Sequence, residues 1–270
     1  MKRLLSTTVL LFLLAGLAVQ TRAAEELHAI REKSATSGFY ERALEFFTKK
    51  IPDVFEKKLH SSREHIDLIL EIFNEKGIPE DIAYLPFIES GFSPLSIGEG
   101  NTVGLWQMVK GTARRYGLRV DQYVDERKDP IKSTHAAADY LSDLHRMFGA
   151  WDIALAAYNA GDGKIRRLFS RDKDKSSVRL PEIINRYLAK LMAVATVARN
   201  PESFGMKPPE SGRDEETEYR EITTTRSISL AALAEKYDTT VKAIMGLNPA
   251  LLTKRTPPYR YVIRLPYQED

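Results

Sequence analysis

The chain has 270 residues, with 40 Lys and Arg against 37 Asp and Glu, and it contains no Cys. The length suits one or two domains with hydrophobic cores of their own. The hydrophobic fraction of 43% and the charged fraction of 29% are typical of a globular protein rather than a disordered or fibrous one. The absence of Cys excludes disulfides, thiolate zinc sites, iron–sulfur clusters and a cysteine nucleophile.

The first 23 residues predict a secretory signal peptide. Two basic residues precede an apolar run over residues 4–19, and small residues lead to an expected cut after Ala23. The run is shorter than the ~20 residues that cross a bilayer, although retention as a membrane anchor stays an alternative. Leu17 stands where a lipoprotein signal would carry Cys, so we expect no lipid anchor. Cleavage removes three basic residues and no acid, which leaves 37 of each sign.

Residues 24–75 predict an N-terminal helical segment, because apolar residues recur there every three or four positions. Pro52 interrupts the pattern and is expected to split it. Ser61 and Glu64 fit a capping box that would start a new helix. Gly77 is placed to end that helix.

Residues 76–206 predict an all-α domain. Pro79 suits the first position of a helix, whereas Pro86 would lie inside that helix and kink it at a cost of ~3 kcal/mol. A turn over residues 161–164 is expected to end a later helix rather than to hold a phosphate. Three more helices are expected, from about Ser133 to Phe148, from Asp152 to Tyr158, and from Pro181 to about Arg199.

The C-terminal part has a different composition. Residues 207–218 are rich in Pro, Gly and acidic residues, which is typical of a linker. Residues 219–268 predict a small unit with the element order β-α-α-β. Its two strands are expected over residues 219–223 and 261–265, where β-branched and aromatic residues are frequent.

One carboxylate is placed to act as a general acid. Glu89 is expected at the end of an apolar helix, with Phe87, Ile88 and Phe92 close in sequence. Such neighbours would desolvate the carboxyl, raise its pKa and keep it protonated near neutral pH. From the residues alone, a solvated glutamate at a helix end remains the simpler interpretation.

Three motifs in chain order resemble those of the soluble lytic transglycosylase, or goose-lysozyme-like, fold. They are Glu89-Ser90, the Gly-Leu-Trp-Gln run at 104–107 and the Ala-Tyr-Asn-Ala-Gly run at 157–161. Further matches to the membrane-bound lytic murein transglycosylase D family lie at 125–130, 133–141 and 180–187. The resemblance covers about residues 76–206 and implies a mainly α protein with a lysozyme-like all-α catalytic domain.

The resemblance also implies a reaction. Glu89 matches the single catalytic acid/base of the family. It would protonate the glycosidic oxygen between N-acetylmuramic acid and N-acetylglucosamine, and would then accept the proton of the muramic C6 hydroxyl as that oxygen bonds to C1. The product would be a 1,6-anhydro sugar, and since no water enters, the implied enzyme is a lyase. Ordinary glycosidases use two carboxylates, whereas this family uses one.

Other residues match positions that line the substrate cleft in the family. The implied substrate-binding residues are Ser90, Gln107, Tyr158, Asn159 and Tyr187. The chain departs from the family pattern at two places near them. Gly98 stands where the family usually has Ser, and Asn101-Thr102 replace a usual Gly-Ala pair. The missing Ser hydroxyl would remove one polar contact expected near Glu89.

The unit over residues 219–268 resembles a LysM module, a βααβ fold that binds glycans containing N-acetylglucosamine. Residues 224–227 replace the usual Gly-Asp-Thr of a loop that normally forms part of the glycan groove. Glycan binding and a structural cap are therefore both open for this unit. The motifs that carry the resemblance lie at 228–234, 239–241, 247–249 and 262–266.

These observations predict an exported, periplasmic peptidoglycan lytic transglycosylase. We expect it to act as a monomer on peptidoglycan glycan strands, with no cofactor, no metal, no nucleic-acid partner and no stable membrane insertion after signal cleavage. Two alternatives stay open. One is a goose-type muramidase that hydrolyses the same bond, and the other is a catalytically weak protein that binds cell-wall glycan.

Overall fold

The computed structural model describes residues 25–32, 35–170, 180–209 and 218–267. The predicted signal peptide and most of the predicted linker lie outside these residues. The chain divides into two compact units. The first combines the described residues up to Lys57 with Leu68–Ile88 and Ala138–Pro208. The second combines Lys58–Asp67, Glu89–Ala137 and the described residues from Pro209 onward.

Helices dominate the described residues before position 210, which confirms the mainly α prediction. Their bounds are α1 Phe39–Glu45, α2 Pro52–Ser62, α3 Ile66–Lys76, α4 Leu85–Glu89, α5 Lys110–Arg115, α6 Pro130–Phe148, α7 Trp151–Ala160, α8 Asp162–Ser170 and α9 Glu182–Arg199. Residues 25–32 are helical as well. Shorter turns of 3-10 or π type cover Phe46–Lys50, Glu80–Tyr84, Glu99–Asn101, Glu126–Lys128 and Pro201–Phe204. Within the described ranges, none of the helices has both the length and the apolar character needed to cross a membrane.

Two predicted interruptions near the N-terminus are confirmed. The π-type turn ends before Ile51, and α2 begins at Pro52, as expected from a residue that lacks a backbone donor. Helix α3 ends at Lys76, and Gly77 follows it in the left-handed conformation with φ of 65°. Glycine adopts this conformation without steric cost, which is why it commonly follows a helix end.

The predicted capping box is wrong. Ser61 lies in the last turn of α2 and not at a helix start, and the neighbouring Ser62 is buried and donates to the carbonyl of Leu59 over 2.6 Å. Helix α3 begins only at Ile66. The pattern of Ser and Glu therefore coincides with a helix end, where a serine hydroxyl can equally well bond back to the preceding turn.

The predicted kink at Pro86 is also wrong. The chain forms a 3-10 turn over Glu80–Tyr84, and α4 begins at Leu85. Pro86 therefore lies in the first turn of α4. Backbone N–H groups in a first turn have no partner within the helix, so proline removes no helical hydrogen bond there.

Helix α6 begins at Pro130, three residues before the predicted start at Ser133. Asp129 explains the difference, because its side chain accepts from the backbone N–H of Lys132 over 3.0 Å and thereby caps the helix. Proline at the first position fits that start. The predicted end is confirmed, since α6 stops at Phe148 and Gly149 has φ of 77°.

The turn predicted over residues 161–164 is wrong. Helix α7 reaches Ala160, two residues beyond the expected end, and a further helix, α8, begins at Asp162. Only Gly161, with φ of 91°, separates the two helices. The sequence pattern missed α8 because it resembles a polar turn at its start.

Helix α9 is the central helix of the first unit, where it contacts α1 and α7. It is apolar on most sides, with Ile184, Leu188, Leu191, Met192 and Ala195 among its buried residues. Three phenylalanine rings pack together elsewhere in this unit. The centroid of the Phe87 ring in α4 lies 4.5 Å from the ring centroid of Phe55 and 5.9 Å from that of Phe47. These contacts hold α4, the helix that ends at Glu89.

The order β-α-α-β at the C-terminus is confirmed. Strands β1 (Tyr219–Thr224) and β2 (Tyr261–Pro266) pair antiparallel, with Tyr219 opposite Pro266 and Thr224 opposite Tyr261. Between them lie α10 (Leu230–Lys236) and α11 (Val241–Leu247). Ser229 and Thr240 cap these helices, since each side chain accepts a backbone N–H of the first turn.

Candidate active site

Glu89 is the last residue of α4 and is half-buried. The chain reverses directly after it, because Gly91 and Phe92 both take left-handed conformations, with φ of 64° and 59°. Phe92 is 2% exposed, so its aromatic ring is buried in the core, whereas Glu89 is only half-buried. The expected protonation of Glu89 stays a prediction.

Ser90 joins the first motif to the second. Its hydroxyl donates to the backbone carbonyl of Leu105 over 2.9 Å. The hydrogen bond links the turn that carries Glu89 to the Gly-Leu-Trp-Gln turn at 104–107, fifteen residues along the chain. The structure therefore brings these two motifs together, whereas the substrate contact expected of Ser90 stays a prediction.

Trp106 connects the second motif, the Gly-Leu-Trp-Gln turn, to helix α6. The side chain is fully buried, and its indole N–H donates to the hydroxyl of Thr134 over 3.0 Å. That hydroxyl in turn donates to the carbonyl of Pro130 over 2.6 Å. The 104–107 turn is thus attached to the N-terminal end of α6.

Gln107 is held within its own loop. Its side-chain oxygen accepts from the Thr102 hydroxyl over 2.7 Å, and its amide nitrogen donates to the carbonyls of Gly104 and Ser96 over 2.8 and 3.3 Å. The backbone of Gln107 is left-handed, with φ of 47°, which is unusual for a residue with a side chain. The amide therefore shapes the loop, and its contact with sugar stays a prediction.

Because Gly98 has no side chain, the Gln107 amide can occupy the space beside it. A Cβ atom at position 98 would lie 2.3 Å from the side-chain oxygen of Gln107 and 2.6 Å from the Thr102 hydroxyl oxygen. The departures at positions 98 and 102 are therefore related in space. Position 98 has no side chain, and the hydroxyl of Thr102 donates to the side-chain oxygen of Gln107.

Arg127 closes the loop that carries Gln107, and sequence reasoning did not single it out. Its guanidinium forms two hydrogen bonds with the carboxylate of Asp125, over 2.9 and 2.8 Å, and both side chains are buried. It also donates to the carbonyls of Asn101 and Met108 over 2.9 and 3.0 Å. Arg127 therefore ties together the two ends of the loop. The signal in the sequence is the run of charges at 125–129 directly after Val124.

The remaining predicted site residues lie in the first unit. Tyr158 is half-buried in the last turns of α7, and its ring lies 5.4 Å from that of Tyr140 at an interplanar angle of 36°. Asn159 is exposed in the last turn of the same helix. Tyr187 is half-buried in α9. The roles of these three residues in substrate binding stay predictions.

Part of the chain is similar to a known family of domains. Residues 68–180 match the family model described as Transglycosylase SLT domain. This segment contains the turn after α4, the Gly-Leu-Trp-Gln loop and all of α7. This part of the chain is thus similar to a transglycosylase SLT domain.

The chain is similar to membrane-bound lytic murein transglycosylase D of Escherichia coli K12, with 28% identity over 181 residues, or 64% of this chain and 40% of that protein. It is also similar to membrane-bound lytic murein transglycosylase C of Photorhabdus laumondii, with 30% identity over 151 residues, or 50% of this chain and 40% of the relative. It thus spans about two fifths of the length of these curated relatives. An inactive mutant of the lytic transglycosylase Slt from Pseudomonas aeruginosa matches 54% of this chain and 25% of that structure, with 20% identity and a TM-score of 0.41.

Proposed function

We propose that the protein is a peptidoglycan lytic transglycosylase with Glu89 as its catalytic acid/base. One observation carries the proposal: the hydrogen bond from Ser90 to Leu105 holds a half-buried glutamate beside the Gly-Leu-Trp-Gln loop, within the segment similar to a transglycosylase SLT domain. The names of the similar proteins, which are lytic murein transglycosylases, support the substrate class.

In the proposed reaction, the Glu89 carboxyl donates its proton to the glycosidic oxygen that leaves with N-acetylglucosamine. The bond between that oxygen and C1 of the muramic residue breaks, and the glutamate becomes a carboxylate. The carboxylate then accepts the proton of the muramic C6 hydroxyl, whose oxygen bonds to C1 and closes the 1,6-anhydro ring. No water is consumed, and Glu89 regains its proton.

General acid/base catalysis of this kind contributes about 10²–10⁴-fold in rate, so the rest of the acceleration must come from the way the sugar is held. We propose that Ser90, Gln107, Tyr158, Asn159 and Tyr187 line the cleft, as the family resemblance implies. The internal hydrogen bonds of Gln107 suggest that it contributes mainly by fixing the shape of its loop. A fixed loop costs no reorganisation when the transition state forms.

We also propose that the protein is exported through its first 23 residues and acts in the periplasm. The basic start, the apolar run and the small residues before Ala24 support this. The names of the relatives describe them as membrane-bound. The size of the purified protein by mass spectrometry tests the expected cleavage after Ala23.

Replacement of Glu89 tests the proposed role directly. Glu89→Gln keeps the size of the side chain but cannot donate or accept the catalytic proton, so we expect release of soluble muropeptides from purified sacculi to fall by about 10²–10⁴-fold. Glu71→Gln, at an exposed position of α3, is the matched control and should release them at the wild-type rate. Unchanged release by Glu89→Gln would show that the assignment is wrong.

A further inference from the structure

The C-terminal β-α-α-β unit, called the C-terminal unit below, does not form its hydrophobic core from its own residues alone. Val124, which precedes α6 in the chain, is fully buried in the cluster that also contains Leu230, Ile244 and Ile263. The chain around Val124 pairs with the C-terminal unit through its backbone. Tyr123 accepts from the N–H of Leu252 over 2.9 Å. A residue of the segment similar to a transglycosylase SLT domain therefore fills a space in the β-α-α-β core.

Side chains strengthen the same contact. Arg264 of β2 forms an ion pair with Asp129 over 3.0 Å, and both side chains are almost fully buried, at 11% and 5% exposed. The hydroxyl of Tyr259 donates to Asp121 over 2.5 Å, and the guanidinium of Arg119 lies 4.0 Å from the centre of the Tyr259 ring. Breaking a buried charged pair strongly destabilises a protein, because one charge then stays buried without its partner.

Asp125 connects this contact to the loop that carries Gln107. Its backbone N–H donates to the carbonyl of Ala250 in the C-terminal unit over 2.8 Å. Its carboxylate binds Arg127 through two hydrogen bonds, and Arg127 holds the carbonyls of Asn101 and Met108. An unbroken series of hydrogen bonds thus runs from the C-terminal unit to both ends of the Gln107 loop.

Gly104 shows how closely Arg127 approaches that loop. A Cβ atom at position 104 would lie 1.9 Å from the backbone oxygen of Arg127, and Gly104 has φ of 87°. A shift of Arg127 would therefore open a gap beneath the loop or force the loop to move with it. The loop position depends on the placement of residues 125–129, which the C-terminal unit contacts.

The loop over residues 224–227, which was expected to form part of a glycan groove, is hydrogen-bonded to neighbouring residues of the C-terminal unit. Thr256 is fully buried, donates to the carbonyl of Arg226 over 2.9 Å and accepts from the N–H of Ile228 over 2.9 Å. Arg255 donates to the hydroxyl of Ser227 over 3.0 Å. These bonds tie residues 226–228 to residues 255–256, which favours a structural role for this end of the unit.

We propose that the C-terminal unit acts as a brace for the catalytic loop, and that Arg127 is the positioning residue through which it acts. Arg264 holds Asp129, the backbone of residue 250 holds Asp125, and Arg127 transmits both constraints to the loop. This inference rests on the proposed function for its effect on catalysis, since a displaced Gln107 loop would no longer face the sugar in the productive geometry. Its structural part can be tested without any activity.

The test is hydrogen–deuterium exchange on the full chain. In Arg264→Gln, we expect exchange in peptides covering residues 98–108 to become about tenfold faster, because local opening of the loop becomes easier. Exchange in α9 should stay at the wild-type rate, which separates loss of the brace from global unfolding. Arg255→Gln makes the same charge change in the C-terminal unit away from Asp129, and should leave residues 98–108 unchanged.

Arg127→Lys tests the positioning residue itself. Lysine keeps the charge but cannot span Asp125 and two carbonyls, so loop exchange should rise by at least as much as in Arg264→Gln. On soluble glycan strands, we expect kcat of Arg127→Lys and of Arg264→Gln to fall about tenfold, while KM changes less than about threefold.

If Arg264→Gln does not fold, Tyr259→Phe replaces it. This variant removes only the hydroxyl that bonds to Asp121, and it should raise loop exchange about threefold.

The two proposals fail in different ways. Wild-type protein that cleaves no glycan would contradict the proposed function, yet loop exchange in the variants would still decide whether the brace exists. Wild-type cleavage together with unchanged loop exchange in folded Arg264→Gln and Arg127→Lys would overturn the brace alone.

Discussion

The hydroxyl of Thr102 donates to the side-chain oxygen of Gln107 over 2.7 Å. This hydrogen bond completes the set that holds the Gln107 amide, whose nitrogen already donates to two carbonyls of the loop. The arrangement requires that position 98 has no side chain, since a Cβ atom there would overlap both partners. Three positions, 98, 102 and 107, therefore depend on one another.

Gly98→Ser is expected to disrupt this arrangement. The new Cβ atom would push the Gln107 amide away from Thr102, and we expect cleavage of glycan strands to fall about tenfold or more. Gly98→Ser combined with Thr102→Ala should recover most of the activity. The space that the Thr102 side chain leaves gives the Gln107 amide room to shift away from the new Cβ atom, and the introduced serine hydroxyl can then supply the lost hydrogen bond.

Gly111→Ser is the matched control, because no atom lies within 4 Å of a Cβ at that position. Its activity should stay within about twofold of wild type. A double variant no more active than Gly98→Ser alone would contradict the proposed dependence between positions 98 and 102.

Much of the fold could be predicted from the sequence, because local residue patterns mark where several helices and strands begin or end. Gly77 and Gly149 end helices as expected, and the β-α-α-β order was predicted from the spacing of apolar, β-branched and aromatic residues in the C-terminal unit. The capping box at Ser61 failed because a Ser-x-x-Glu pattern also fits a helix end. Helix α8 was missed because its first residues, beginning with Asp162, resemble a turn.

The site is less accessible to sequence reasoning because its contacts are long-range. The resemblance implies a catalytic role for Glu89, which stays a prediction, whereas the contacts of Thr102 and Arg127 depend on which carbonyls and amides lie beside them in space. Thr102 was visible only as a departure from the family pattern. The burial of Val124 in the C-terminal core could not be predicted, since nothing in the local sequence indicates which unit its side chain enters.

Thr134→Val tests how firmly the second motif is held. The variant keeps the shape of the side chain but removes the acceptor of the buried Trp106 indole N–H, so we expect the free energy of unfolding to fall by about 1–3 kcal/mol. Part of that loss reflects the bond from Thr134 to Pro130, which does not involve Trp106. Chemical denaturation measures the change.

The same substitution in a Trp106→Phe background isolates the indole bond. Thr134→Val should cost less there, by about 1 kcal/mol, because no indole N–H is left to lose its acceptor. Equal costs in both backgrounds would mean that the hydrogen bond between the two side chains contributes nothing to stability.

His65 makes stability depend on pH. Burial lowers the pKa of its imidazole below the ordinary value of 6.5, although the carboxylate of Glu64 acts in the opposite direction. The folded state thus prefers the neutral ring. Its contribution to the free energy of unfolding is fully present above the ordinary pKa, and is lost as the pH falls from there towards the lowered pKa.

Denaturation at several pH values checks this expectation. His65→Gln should show a smaller loss of stability than wild type between about pH 7 and pH 5. His135→Gln, at an exposed position of α6, should keep the wild-type dependence. A wild-type dependence in His65→Gln would assign the effect to other groups.

Mass spectrometry of the products from purified peptidoglycan tests the central claim most directly. If Glu89 accepts the proton of the C6 hydroxyl while that oxygen bonds to C1, the new glycan ends carry 1,6-anhydromuramic acid, and Glu89→Gln forms almost none of them. Reducing muramic acid ends, heavier by one water, would instead show hydrolysis and contradict the proposed lyase.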